Sequence, residues 1–297
     1  MKPFVDHLQI LPVSFQNGRR QADGEHRPGG LGMATLAEEL ARRGWTARFE
    51  DMGYDKPMPE ARLVEAFARG IGDGVLSAWD RSRFPIVLSR ACYGGLGAVD
   101  ALGPRTGVVW VDAEAEYRTP SLLRRPPLDR TALAMVTGRA PRDKLAVQPQ
   151  RLSGEQAILV GGQRSDLREL RVAADDGIRR LAPGEVGRLP ELVAAARATQ
   201  WYLHIDLCAL SAAAVPAADD AGDDGVDPAE LAAAVRGAFG PDRPLAVLAC
   251  TRYDLNRDSG NATLSTLVDL IEATVVAAGG EPKPREARVA SSGPRKQ

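Results

Sequence analysis

The chain has 297 residues, of which 44% are hydrophobic and 26% charged, with a formal net charge of −1. This near-neutral balance gives no electrostatic reason to expect nucleic acid or an anionic membrane surface as a partner. No apolar run approaches the ~18 residues of a membrane span, and the N-terminus lacks the apolar stretch of a signal peptide, so we expect a cytoplasmic protein.

Apolar strands alternate with helical segments along the chain. The predicted strands are, in order, HLQILPV, TARFEDM, FPIVLS, TGVVWVDA, QAILVGG, WYLHIDLCAL and PLAVLAC. Helical patterns such as ATLAEELARRG, PELVAAARAT and TLSTLVDLIEATVVAAG separate them. Strands that are apolar throughout are typical of a parallel sheet covered on both faces. We therefore predict one α/β domain over residues 1–278, with three α/β/α layers and a mostly parallel central sheet. The Pro-, Gly- and charge-rich residues 279–297 predict a disordered tail.

Polar residues follow several of these apolar runs. In a parallel sheet the ligand crevice lies beyond the carboxyl ends of the strands, so these residues are the first candidates for a site. In VVWVDAEAEYRTP, Asp112, Glu114 and Glu116 occupy alternate positions, which on an extended chain point the same way. Like charges this close raise each other's pKa unless a cation, a proton or solvent relieves them.

The order and spacing of three segments resemble the ureohydrolase superfamily (arginase, agmatinase, formiminoglutamase) over residues 5–278. PIVLSRACYGGLGAVDALG resembles the segment ending G-G-D-H-S, with Cys92 at the metal-binding His. GVVWVDAEAEYRTP is similar to D-A-H-x-D, with Asp112 retained, Glu114 at the His and Glu116 at the second Asp.

The third segment, LHIDLCALSAAAVP, resembles S-x-D-x-D-x-x-D-P-x-x-x-P, with Asp206 retained and Cys208 at the second metal-binding Asp. The family uses these positions to hold two divalent metals that activate a water for attack on a guanidinium or amidine carbon. The resemblance thus implies a metal site built from Cys92, Asp112, Glu114, Glu116, Asp206 and Cys208.

All four replaced positions carry residue types that can ligate metal, which favours a remodelled site over a decayed one. Thiolates and carboxylates without imidazole suit zinc or iron better than manganese. Cysteines in a cytoplasmic protein are expected to be thiols or ligands, and Cys250, at the end of an apolar strand, is expected in the core.

The substrate side departs further from the family. Asp129 falls near the family's catalytic-loop His, and Asp166 and Glu169 resemble its acidic substrate-binding pair. Arg252, in LACTRYDLN, stands where the family commonly has a Glu that pairs with the guanidinium. Because a cation repels a guanidinium, ordinary arginase activity is not expected. Arg252 remains a candidate for catalysis and for substrate binding.

Two more residues are candidates with open roles. His204 lies two residues before Asp206, so alternation points both the same way, and it serves either as an acid/base or as a hydrogen-bonded structural residue. Tyr93 follows Cys92 and either donates a hydrogen bond to substrate or packs.

Three functional hypotheses follow. The first is a metal-dependent hydrolase-type enzyme acting on a C–N bond of a small nitrogenous substrate other than ordinary arginine. The second is a non-catalytic homologue, without metal, that serves assembly or regulation with itself or with an active paralogue. The third is a thiol or redox site at Cys92 and Cys208. The family resemblance implies a homo-oligomer, a trimer or hexamer.

Overall fold

A computed structural model of the chain describes residues 7–13, 15–16, 19–20, 33–52, 59–123, 128–139, 152–253 and 257–283. The strands are β1 (His7–Val13), β2 (Phe15–Gln16), β3 (Arg19–Arg20), β4 (Thr46–Phe49), β5 (Phe84–Ser89), β6 (Thr106–Asp112), β7 (Ala157–Gly161), β8 (Arg179–Leu181), β9 (Gln200–Asp206) and β10 (Leu245–Thr251). The helices are α1 (Met33–Arg42), α2 (Glu60–Asp80), α3 (Gly95–Leu102), α4 (Ala132–Val136), α5 (Leu167–Asp175), α6 (Leu189–Ala195), α7 (Pro228–Ala238) and α8 (Ala262–Ala277).

Eight of these strands form one sheet, in the order β4-β1-β5-β10-β9-β6-β7-β8, and every pairing between its described strands is parallel. β5, β6 and β10 are buried at every position, because each carries apolar side chains to both faces of the sheet. The predicted α/β class with a parallel central sheet is confirmed.

Each face of the sheet carries its own hydrophobic layer. Residues of α1, α6, α7 and α8 pack with one set of strand side chains, and residues of α2, α3, α4 and α5 pack with the opposite set. The two layers confirm the three-layer α/β/α architecture. Among the described residues, no helix combines the length and the apolarity that a membrane span needs.

The two ends of the chain bear on the predicted domain limits. Residues 279–283 of the predicted tail are described, and the Lys283 N–H donates to the Gly44 carbonyl at 3.0 Å. Residues 1–6 and 284–297 lie outside the described residues. The domain limits stay a prediction.

Candidate functional site

The central strands end together at one edge of the sheet. Ser89 at the end of β5 pairs with Thr251 of β10, which pairs with Asp206 of β9. Val111 pairs with Ile205, so Asp112, the next residue of β6, lies level with Asp206. The carboxyl ends of four neighbouring strands therefore meet where a parallel sheet places its ligand crevice.

Four buried residues at this edge form what we call the central cluster: Cys92, Asp112, His204 and Asp206. One potential ligand atom from each lies within 4.8 Å of the others. The Cys92 thiol is 3.1 Å from Asp206 Oδ2 and 3.8 Å from Asp112 Oδ2. None of the four is more than 2% exposed. The fold thus brings one sulfur, one imidazole and two carboxylates together away from solvent.

This donor set fits a divalent metal ion such as zinc. Around tetrahedral zinc, bonds of about 2.0–2.3 Å put neighbouring donor atoms roughly 3.3–3.8 Å apart. The donor atoms of the cluster are separated by distances on both sides of this range, from 3.1 Å between Cys92 Sγ and Asp206 Oδ2 up to a limit of 4.8 Å. His204 Nε2 has no hydrogen-bond partner among the described residues, although it is buried. An unpartnered buried nitrogen is costly unless something binds it.

Arg252 supplies the cluster with positive charge. Its Nε donates to Asp206 Oδ2 at 2.8 Å, and its Nη1 lies 3.6 Å from Asp220 Oδ2. Burial alone would raise the pKa of Asp206, but Arg252 and the hydrogen bonds from Cys208 bring it below its ordinary value. One carboxylate of the cluster is therefore neutralised by an ion pair.

The other two buried carboxyls at this edge, Asp112 and Glu116, have no ion pair within the part of the chain that the structure describes. Burial, with the charge of Asp206, raises the pKa of Asp112 well above its ordinary value. Burial, with Asp112 and Asp206, does the same to Glu116. Neither oxygen of Glu116 has a hydrogen-bond partner among the described residues. These two groups favour the protonated form unless a further cation enters the site.

The alternation expected beyond Asp112 does not occur, because β6 ends there. The Glu114 N–H donates to Asp112 Oδ1 at 2.9 Å, and the Glu114 carboxylate forms an ion pair with Arg130. Glu116 has a left-handed backbone, with φ 47°, and is 1% exposed. The chain leaves the extended geometry on which the alternation depended, so Glu114 and Glu116 take different environments.

The three thiols are free and buried. Cys208 donates from Sγ to Asp112 Oδ1 at 3.5 Å, and its N–H donates to Asp206 Oδ1 at 2.8 Å. Burial raises the pKa of Cys92, Cys208 and Cys250. A thiol in this state is a poor nucleophile without a cation to stabilise the thiolate, which weighs against the redox hypothesis.

His204 is held by aromatic residues. Its Nδ1 lies 3.2 Å from the Tyr202 hydroxyl, and its ring stacks on Trp110 with 3.9 Å between centroids and 12° between planes. Burial lowers the pKa of His204 to about 4, so its imidazole is neutral near pH 7. Neutral imidazole is the form that binds metals.

The remaining candidates have other contacts. The Asp166 side chain caps α5 by accepting from the Arg168 N–H at 2.7 Å. Glu169 accepts from the Tyr117 N–H at 2.7 Å, and burial raises its pKa. Tyr93 is buried in the turn Cys92–Gly94. Asp129 lies in the turn Leu128–Arg130, and its side chain is outside the description.

The rim of the site contains ion pairs that sequence reasoning missed. Asp219 lies 3.4 Å from Arg90 Nη2 and also pairs with Arg257, while Asp220 pairs with Arg252. Both aspartates belong to the acidic segment AADDAGDDG.

Three residues at the site have left-handed backbones although none is glycine: Glu116, Asp220 and Arg252, with φ of 47°, 60° and 66°. Such conformations are uncommon for residues with a Cβ, and they concentrate at functional sites. Their grouping here supports a functional interpretation of this edge of the sheet.

Comparison with known proteins places this geometry in context. No protein-family model matches the chain. An arginase of Staphylococcus aureus is 24% identical over 118 residues, which is 39% of this chain and 39% of that protein. The matched segment therefore spans well under half the length of this curated relative.

Similarity of structure extends over nearly the whole chain. The arginase of Bacillus caldovelox has a TM-score of 0.72 at 22% identity, covering 93% of this chain and 98% of that one. The formimidoylglutamase of Bacillus subtilis has a TM-score of 0.69 at 14% identity, covering 93% and 88%. At these identities the comparison shows the fold, and the chain has the arginase-like α/β fold of the ureohydrolases.

Proposed function

Because the arginase-like fold brings a sulfur, an imidazole and two carboxylates to its sheet edge, we propose that the chain is a metal-dependent hydrolase-type enzyme. It acts on a C–N bond of a small nitrogenous substrate other than ordinary arginine. The observation that carries the proposal is the central cluster, whose donor atoms lie within 4.8 Å of one another.

Cys92, Asp112, His204 and Asp206 would hold the ion. Thiolate, imidazole and carboxylate together favour zinc, or iron, over manganese. When bound, the ion would polarise the substrate's carbonyl or amidine group as a Lewis acid. The dication and Arg252 together match the three negative charges of ionised Cys92, Asp112 and Asp206, so the charge balances within the cluster.

Arg252 supports the exclusion of arginine. Its side chain is 19% exposed, and its guanidinium sits on Asp206 at the cluster. A second guanidinium brought to the same carboxylates would face like charge at short range. A neutral or anionic nitrogenous substrate meets no such repulsion.

The ion pairs also favour a second candidate, a non-catalytic homologue that assembles with itself or with an active paralogue. Arg252 engages Asp206, and Arg130 engages Glu114, so two of the carboxylates have compensation without metal. Protonation of Asp112 and Glu116 would remove the remaining negative charge at the site.

Metal content separates the two candidates. We expect protein purified without added metal to carry zinc or iron at about one ion per two chains or more by elemental analysis. Cys92→Ala should lose the metal. The matched control is Cys250→Ala, since Cys250 is also a free, buried thiol and lies outside the central cluster.

Metal-loaded protein should then release ammonia or an amine from a neutral or anionic member of a panel of small amides, amidines and guanidines, and it should leave arginine unhydrolysed. Metal-free protein that neither takes up zinc nor hydrolyses any member of the panel would favour the non-catalytic homologue.

A further inference from the structure

Two aromatic side chains determine where the His204 ring lies. Tyr202 precedes it by two positions on β9, so both side chains leave the same face of the sheet. Trp110 of β6 is paired with His204 in the sheet register and stacks on its ring. Tyr202, His204 and Trp110 are each 0% exposed. The ring is therefore fixed by packing on one face and by a hydroxyl at one edge.

The contacts of the two ring nitrogens differ. Nδ1 lies 3.2 Å from the Tyr202 hydroxyl, whereas Nε2 has no partner among the described residues. A neutral imidazole carries one hydrogen, and the nitrogen without it is the one that can bind a metal. The hydrogen-bond partner of one nitrogen thus decides whether the other is available.

Gly95 makes room for this hydroxyl. A Cβ at position 95 would lie 2.4 Å from the Tyr202 hydroxyl oxygen. The backbone there has φ −62° and ψ −24°, a helical conformation open to any residue. Glycine at this position therefore serves clearance around the tyrosine and is not required by the backbone.

We propose that Tyr202 is a positioning residue for the metal site. Its hydroxyl oxygen accepts a hydrogen bond from His204 Nδ1–H, which leaves the lone pair of Nε2 available to an ion at the central cluster. Because Tyr202 and His204 are both buried, water cannot readily take the place of the Tyr202 hydroxyl when that hydroxyl is removed. This inference rests on the proposed metal-dependent function, and its test is chosen to separate the two.

The first measurement is zinc affinity, by competition with a chromophoric chelator. Loss of an outer partner of a metal-binding histidine costs about 10–100-fold in affinity, which is the loss expected for Tyr202→Phe. Tyr117→Phe is the matched control, because it also removes a buried tyrosine hydroxyl with a hydrogen bond, in this case to Asp176 at 3.0 Å. It should leave zinc affinity unchanged.

The second measurement is the tautomer of His204, determined by ¹⁵N NMR of the imidazoles. If Tyr202 had only a structural role, its replacement would not change this tautomer. The chain has three histidines, so a His204→Gln variant identifies the relevant signals. We expect hydrogen on Nδ1 in the parent, with and without zinc, and loss of this preference in Tyr202→Phe. Gly95→Ala displaces the Tyr202 hydroxyl without removing it. This variant should also lower zinc affinity and weaken the preference for hydrogen on Nδ1.

The outcomes are distinct. Hydrogen on Nε2 in the parent protein overturns the role of Tyr202, whether or not any variant folds. Equal zinc affinity and an equal tautomer in parent and Tyr202→Phe overturn it as well. A parent that binds neither zinc nor ferrous iron overturns the proposed function, and the tautomer of the metal-free protein then still decides whether Tyr202 orients the ring.

Discussion

Replacement of Arg252 by methionine tests how the buried carboxylates are neutralised. Asp206 is 0% exposed and the Arg252 side chain 19% exposed, and their contact is 2.8 Å. Charge centres about 4 Å apart attract by about 4 kcal/mol at an effective dielectric constant of about 20. Removing one partner of a buried pair costs about 3–5 kcal/mol, because the other charge stays buried and uncompensated. The partial exposure of Arg252 places the expected loss near the lower end, about 3 kcal/mol.

Urea unfolding of metal-free protein in chelator measures this loss. With an m value of about 3 kcal/mol/M, the midpoint of Arg252→Met should fall by about 1 M. Arg252→Lys keeps the positive charge but loses the Nε donor, so its urea midpoint should fall less than that of Arg252→Met. Arg188→Met is the matched control: its side chain is 55% exposed beside Glu185, so its loss should be under about 1 kcal/mol.

Zinc gives the same experiment a second arm. An ion at the central cluster supplies positive charge to the same carboxylates. The difference in urea midpoint between Arg252→Met and the parent should therefore shrink when zinc is added. If Arg252→Met in chelator unfolds at the parent's midpoint, the conclusion that Arg252 neutralises Asp206 is refuted.

Two further predictions concern Glu114, which follows the site residue Asp112, and Asp176, which pairs with Arg139 away from the central cluster. Glu114→Gln should leave zinc content unchanged by elemental analysis, because Arg130 already holds the Glu114 carboxylate, and a fall to the level of Cys92→Ala would contradict this. The hydrogen bond from Arg139 lowers the pKa of Asp176 in the folded protein. The ionised Asp176 carboxylate therefore stabilises the fold above the unfolded-state pKa of about 4, and this stabilisation is lost as the pH falls through the folded-state pKa. At pH 7 the urea midpoint of Asp176→Asn should thus lie below that of the parent. The difference between the two midpoints should shrink as the pH falls below about 4. A difference that does not change with pH would rule out this ion pair as the cause.

Most of the sheet could be predicted from sequence because its central strands are buried on both faces. HLQILPV and FPIVLS coincide with β1 and β5 residue for residue. β8 was missed: it has three residues, Arg179–Leu181, at the edge of the sheet, and its two arginines give no apolar signal. Edge strands need less burial, so their sequences carry less information about the fold.

The site was predictable only as far as the strands extend. Parallel strand order together with the family resemblance was enough to expect Cys92, Asp112 and Asp206 together, and alternation within β9 placed His204 with Asp206. After Asp112 the chain turns, and the side chains there are positioned by tertiary partners such as Arg130, which no local periodicity contains.

The contacts of His204 also lay beyond local pattern. Its stacking on Trp110 depends on the register between β9 and β6. The paired residues Trp110 and His204 are 94 positions apart in the sequence, and only the folded sheet sets that register. Its candidacy as a metal ligand therefore emerged from the structure, whereas sequence reasoning offered it as an acid/base or structural residue.

The left-handed backbone at Arg252 has an evolutionary consequence. A residue with a Cβ in this conformation costs about 1–2 kcal/mol that glycine would avoid, so selection for stability alone should favour glycine or asparagine there in an abandoned site. Selection for the function of the guanidinium opposes that preference wherever the guanidinium still matters. Among relatives of this chain, glycine at position 252 would mark lineages that have given up the site, and arginine would mark those that still depend on it.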